Sequence, residues 1–153
     1  MAALRLPRIE NFPFLDPPNP AAVREGLRTL YDLQALDTRS GEPTRLGFRL
    51  AKLPLDPHIG AMLVEAEKRA CLPEMLVTAA FLSIRDPRER PMDKEEAAMN
   101  FHRSLDDKSS DFMGILNIWN YLWQHRAFDS NRLLRQVCKS GYFNFLQIGR
   151  AHV

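Results

Sequence analysis

Apolar residues recur at helical spacing in short stretches along this chain, and proline separates one stretch from the next. Val23, Leu27, Leu30 and Tyr31 step along one helical face, behind Asn19 as N-cap and Pro20 at the first helical position. That spacing predicts a helix from Pro20 to near Leu33. Ala35–Thr38 and Glu42–Thr44, flanking Arg39-Ser40-Gly41, read as two very short strands around a turn. A second helix is expected from Thr44 through Leu46, Phe48 and Leu50 to near Lys52. Helix, tiny hairpin and helix together outline a winged-helix module with a reduced two-strand wing.

Leu53-Pro54-Leu55-Asp56-Pro57 then breaks the chain. Beyond it, Ile59, Met62, Leu63 and Ala66 share one face of a third helix. Leu72-Pro73-Glu74 opens a fourth. Its Met75, Leu76, Ala79, Ala80 and Leu82 make it apolar nearly all round, the pattern of a helix at the centre of a bundle. Asp93 is expected to cap a helix bearing Ala97, Ala98 and Phe101. Ser109-Ser110-Asp111 opens the next, with Phe112, Ile115, Leu116, Trp119, Leu122 and Trp123 inward and Tyr121 off that stripe. Asp129 or Ser130 opens the last, with Leu133, Leu134, Val137 and Cys138 on its apolar face. Cys138 reads as a small buried hydrophobe, not a reactive thiol.

The expected fold class is therefore mainly α. An extended proline-rich arm occupies residues 1–19, a winged-helix module 20–55 and a helical bundle 56–147. The arm segment Phe12-Pro13-Phe14-Leu15-Asp16-Pro17-Pro18-Asn19-Pro20 holds four prolines, and its apolar side chains need a surface to pack on.

The 153 residues are 45% hydrophobic and 26% charged, which suits a folded globular chain and excludes a disordered tail, a collagen-like fibre and a disulfide mini-protein. No apolar run reaches the roughly 20 residues of a membrane span, so no membrane partner is expected. A net charge of +2 is mildly basic, short of a dedicated polycationic binder. Two cysteines, Cys71 and Cys138, make no framework and suit reduced thiols in a cytoplasmic setting.

No Gly-x-x-x-x-Gly-Lys-Ser/Thr phosphate loop, Gly-x-Gly-x-x-Gly or Gly-x-Ser-x-Gly occurs. His58, His102, His125 and His152 are scattered without zinc spacing. Asp106-Asp107 and Glu95-Glu96 are adjacent, so their side chains diverge on a helix and read as solvated charge. No catalytic residue, metal site or cofactor is expected. One stretch carries candidate chemistry, Arg85-Asp86-Pro87-Arg88-Glu89-Arg90-Pro91. Its three arginine forks suit phosphate oxygens. Equally, Asp86 and Glu89 could neutralise two of them and leave a solvated connector. Trp119, Tyr121 and Trp123 could stack bases, but the i, i+3, i+4 spacing of Trp119, Leu122 and Trp123 favours a core stripe.

Taken in order, several segments resemble the DEAH-box ATP-dependent RNA helicases. Ile9-Glu10-Asn11-Phe12-Pro13-Phe14-Leu15-Asp16-Pro17-Pro18 is similar to the "FPFLDPP" run before the family's winged helix. Leu46-Gly47-Phe48-Arg49-Leu50-Ala51-Lys52-Leu53-Pro54-Leu55-Asp56-Pro57 resembles its "LG-x-x-x-A-x-LPLDP" run. Phe81-Leu82-Ser83-Ile84, followed by Arg90-Pro91, resembles "LS-x-x-x-x-x-x-RP", and Ser110-Asp111-Phe112 through Leu116-Asn117 resembles "SD-x-x-x-x-LN". Order and spacing agree from residue 4 to near residue 146. The opening is most similar to the bacterial HrpA type.

The resemblance implies part of a larger protein. Two RecA-like motor domains that bind ATP and magnesium would precede this region, and an OB-fold would follow it. ATP and Mg would thus belong to the parent, with no cofactor held here. The winged helix would pack against the motor, and the helicase-associated, ratchet-like bundle would wall a channel for single-stranded RNA or DNA. The family's RNA-contacting serine and arginine fall on Ser83 and Arg90. The candidate nucleic-acid site is therefore Ser83, Arg85, Arg88 and Arg90. Arg85-Asp86-Pro87-Arg88 stands where members often have neutral residues. Ile148–Val153 departs from the family and reads as translated adapter sequence outside the fold. Met1 reads as an internal methionine or the start of a clipped read. Two other classes stay open. One is a winged-helix DNA-binding module using Arg45, Arg49 and Lys52. The other is a protein-interaction module docking through Phe12-Pro13-Phe14.

Overall fold

The computed structural model describes Ile9 and residues 12–152. Its regular structure is helical: α1 (Pro20–Asp32), α2 (Arg45–Leu50), α3 (Pro57–Lys68), α4 (Leu72–Leu82), α5 (Glu95–Leu105), α6 (Asp111–Gln124), a 3-10 turn (Ala127–Asp129), α7 (Asn131–Ser140) and α8 (Phe145–His152). The chain sorts into two compact units, Met1–Cys71 and Leu72–Val153.

In the first unit, Asn19 caps α1 by accepting the Ala21 N–H at 2.8 Å. Gln34, at φ 56°, turns the chain out of the helix so that Ala35 returns to donate to the Leu30 carbonyl. Ala35, Leu50 and Val64 form a small core with Leu30, Leu33, Leu46 and Ala61 against it. The two expected wing strands do not form among the described residues. A single antiparallel bridge joins Leu36 to Pro43 in their place. Two features stop the ladder. Pro43 has no N–H to donate, and the Asp37 carboxylate accepts from the amides of Arg39 and Ser40, holding a tight local turn.

The Ala35 carbonyl accepts the Thr44 N–H at 2.9 Å, and the Thr44 hydroxyl oxygen caps α2 by accepting from Gly47. This brings α2 so close that a Cβ on Gly47 would stand 2.1 Å from the Ala35 oxygen. Glycine is a steric requirement there. Leu53–Pro57 does bend the chain, and Asp56 caps α3. However, α3 packs on α2, so the first unit continues to Cys71. Of the arm, Phe12 and Phe14 pack on each other with ring centroids 4.7 Å apart, and Leu15 is fully exposed. Residues 1–8, 10 and 11 of the arm lie outside the described residues.

The second unit has a larger core: Phe81, Ile118, Leu122, Ala127, Leu134, Val137, Cys138, Phe143 and Ile148. The buried line of α6 is Gly114, Ile118 and Leu122, at strict i, i+4 spacing. Trp123 lies about 100° further round the helix and is 53% exposed, contrary to its expected inward position. Tyr121, expected off the stripe, packs edge-on against Phe101 at 5.2 Å. Helix α4 is not central either. It packs on α6 and α8, and its Leu76 and Leu82 are 51% and 46% exposed. Asp93 does not cap α5. Lys94 takes the N-cap position without a side-chain bond, and Glu95 and Glu96 supply negative charge to the first turn. Ser130 does cap α7, accepting the Leu133 N–H. The segment from Ile148 to His152, set apart in the sequence, is helical, and Ile148 is wholly buried.

Two outcomes are expected. Gly47→Ala should lower stability by roughly 2–3 kcal/mol in a urea melt, since backbone must move to admit the methyl; an unchanged midpoint would contradict the close approach. Burial, and then the charge of Glu89, push the Cys138 thiol up to about 11. At pH 8 iodoacetamide should therefore modify half-buried Cys71 and spare Cys138 until urea is added, which peptide mass mapping would read out. Equal labelling of both cysteines in the folded chain would contradict this burial.

Candidate nucleic-acid interface

Between α4 and α5 the chain has no regular structure, yet its path is fixed from below. Ser83 ends α4, its N–H reaching the Ala79 and Ala80 carbonyls and its hydroxyl donating to Ala79 at 2.8 Å. The loop then runs antiparallel to the turn joining α7 to α8. Asn144 donates its N–H to the Pro87 carbonyl at 2.7 Å, and Glu89 donates to the Tyr142 carbonyl at 2.8 Å. Arg88 and Phe143 face each other as a bridge. The Asn144 side-chain amide donates to Glu89 Oε1 at 2.7 Å.

That turn is anchored in the core. Phe143 is 3% exposed and packs against Phe101, Tyr121 and His102. The His102 Nε2–H donates to the Gly141 carbonyl at 3.1 Å, since a carbonyl can only accept. A Cβ on Gly141 would meet the Phe143 ring at 2.7 Å, so glycine is needed to seat the phenyl. Tyr142 adopts φ 55°, a conformation unfavourable for a bulky residue.

The three loop arginines are not equivalent. Arg88 turns inward. Its Nε and Nη2 donate to the Asp86 carboxylate at 3.0 and 2.9 Å, and its Nη1 donates to Asp106 at 3.3 Å. Burial pushes the Asp86 carboxyl up, but the Arg88 hydrogen bonds and charge outweigh it and hold the group below its ordinary value. Arg88 is correspondingly raised, first by the Asp86 hydrogen bond. Its side chain lines a cavity of about 410 Å³ whose wall is apolar at Phe81, Ile115 and Ile118 and acidic at Asp106, Asp107 and Asp111. Arg85 and Arg90 are exposed and make no ion pair among the described residues. Asp86 therefore neutralises Arg88, as the connector reading anticipated, while Glu89 is held by Asn144 and leaves Arg85 and Arg90 uncompensated.

Phe143, Asn144 and Asp106 were missed as parts of this site. One signal was present for Asn144. It caps α8 by accepting the Gln147 N–H at 3.0 Å, and Asn followed three residues later by Gln is a helix-start pattern. Nothing local tied it to residue 89. Among the described residues, no group of three or more His, Cys, Asp or Glu is placed to hold a metal ion. Among the described residues no helix is long and apolar enough to cross a membrane.

Residues 56–115 match the helicase associated domain (HA2), ratchet-like. This span contains α3, α4, the whole loop, α5 and the start of α6. The chain belongs to the DEAH-box RNA helicase family, in its helicase-associated region. It is 40% identical over 152 residues to the ATP-dependent RNA helicase HrpA of Escherichia coli (strain K12), covering 97% of this chain and 12% of that protein. It is equally 40% identical over 154 residues to the HrpA homolog of Haemophilus influenzae, again 97% of this chain and 12% of that protein. With the human ATP-dependent DNA/RNA helicase DHX36 it shares 40% identity over 125 residues, 81% of this chain and 12% of that protein.

The Asp86–Arg88 pair has a pH signature. A carboxyl lowered in the folded state stabilises fully above its ordinary value of 3.8 and loses that contribution as pH falls through the lowered value. The melting temperature should therefore drop more steeply below about pH 4 for the parent chain than for Asp86→Asn. Parallel curves would contradict the pairing.

Proposed function

We propose that this region forms part of the single-stranded nucleic-acid path of an ATP-dependent RNA helicase, gripping the strand without powering its movement. The observation that carries this reading is the loop itself, which presents exposed Arg85 and Arg90 from a backbone pinned to the second unit's core. Ser83 and these arginines would contact phosphate and sugar, positioning the strand without reading sequence. ATP and Mg would be bound by motor domains elsewhere in the longer cytoplasmic protein. Residues 20–55 would serve as the winged-helix hinge against that motor, and an OB-fold would complete the channel. The support for the hinge is the helix–turn–helix outline and the Leu46–Pro57 run. Coupling then follows. The bundle holds the strand while the motor releases it and rebinds. RNA and DNA both remain substrates for the test.

Recognition of duplex DNA through α2 finds less support. That helix has six residues, and Arg49, one of its two arginines, is paired with Glu67.

The intact chain should bind single-stranded RNA weakly, more tightly than duplex DNA, and lose affinity steeply as salt rises. It should release no phosphate from ATP. Tighter binding to the duplex, or nucleotide hydrolysis by the pure chain, would contradict the reading. In the full-length protein, Arg90→Ala should slow unwinding about two- to fivefold, the scale of one solvent-exposed ionic contact, with the thermal midpoint unchanged. Unaltered unwinding would remove Arg90 from the path.

A further inference from the structure

We propose that Arg88 and Asn144 are positioning residues, which fix the loop bearing Arg85 and Arg90 and do not themselves touch the strand. This rests on the reading of that loop as a phosphate-contacting element. It departs from the sequence expectation, in which the three arginines serve alike.

Three of the five N–H groups of the Arg88 guanidinium are already engaged. Nε, Nη1 and Nη2 all donate to carboxylates, two on Asp86 and one on Asp106. A phosphate could reach only its two remaining N–H groups, beside carboxylates that already compensate the charge. The phosphate would then enter a cavity lined by Asp86, Asp106, Asp107 and Asp111, where like charge opposes it. Asp106 ends α5, so the ion pairs tie the loop to that helix. From the other side, Asn144 makes three bonds through its backbone N–H and its side chain. Its N–H goes to Pro87, its side-chain N–H to Glu89, and its Oδ1 accepts from Gln147 at the start of α8. The residues on either side of Arg88 are thus bound to the α8 end, and Arg88 to the α5 end. The loop cannot slide without breaking one set. Holding it in place spares the ordering cost that a free loop would incur on binding.

Salt dependence separates a contact from a support. Each phosphate contact to a single strand contributes about 0.7 to the slope of log affinity against log salt. A support changes affinity and leaves the slope alone. The measurement is fluorescence anisotropy of the intact chain with a short fluorescein-labelled oligouridylate across a salt series. Circular dichroism melts of each variant report the fold. Arg90→Ala and Arg85→Ala should each lower the slope by about 0.7. Arg88→Ala and Asn144→Ala should weaken binding roughly two- to tenfold with the parental slope. Arg88→Lys should stay as weak as Arg88→Ala, because one ammonium cannot span both carboxylates. A slope lowered by Arg88→Ala, full rescue by Arg88→Lys, or parental affinity in both Arg88→Ala and Asn144→Ala would each overturn the proposal. If Arg85→Ala and Arg90→Ala change neither slope nor affinity, or the parent chain does not bind at low salt, the reading of the loop falls and the inference with it.

Discussion

The burial of Phe143 is the constraint on which the second unit's surface depends. The ring closes the core beside Phe101, Tyr121 and His102, and the backbone on either side of it holds the α4–α5 loop through Tyr142, Asn144 and the bridge to Arg88. Reaching this position requires Tyr142 at φ 55°, a strain of about 1–3 kcal/mol. Burying a phenylalanine side chain contributes about 1.5–3 kcal/mol, enough to offset it. Gly141 makes the arrangement sterically possible. Core packing, rather than a regular strand or helix, therefore sets where the exposed arginines stand.

Electrostatics distinguish one arginine of the same loop, held by carboxylates, from two that make no ion pair among the described residues. Asp86 and Asp106 hold Arg88 and compensate the charge of a side chain that is 35% exposed. Exposed arginines without partners are individually weak and screened by salt. In the proposed role that weakness is useful, since a passive holder must release the strand at every step. Rigidity of the loop and modest strength of each contact are compatible because different residues supply them.

Much of the helical layout was legible in the sequence, and the reason is local. Asn19-Pro20, Thr44, Asp56-Pro57 and Ser130 carry cap and proline signals that act within one turn. Features set by tertiary packing were not legible. Trp123 and Tyr121 exchange places because the buried line of α6 runs through Gly114, Ile118 and Leu122. The wing strands fail because Pro43 cannot donate and Asp37 closes the turn itself. The charge pattern picked out the basic loop and the resemblance pointed to Ser83 and Arg90 within it, but neither showed the difference among its arginines. That difference depends on Asp106, 18 residues from Arg88, and on Asn144, 55 residues from Glu89. No spacing rule reaches across those distances.

Amide-resolved hydrogen exchange, with and without single-stranded RNA, tests the central claim most directly. In the free chain the Glu89 and Asn144 amides should exchange as slowly as that of Phe143, while Arg85 exchanges freely; added RNA should then slow exchange between Ile84 and Arg90. A freely exchanging Glu89 amide, or protection by RNA that leaves this loop untouched, would contradict a strand-gripping surface held in place by the core.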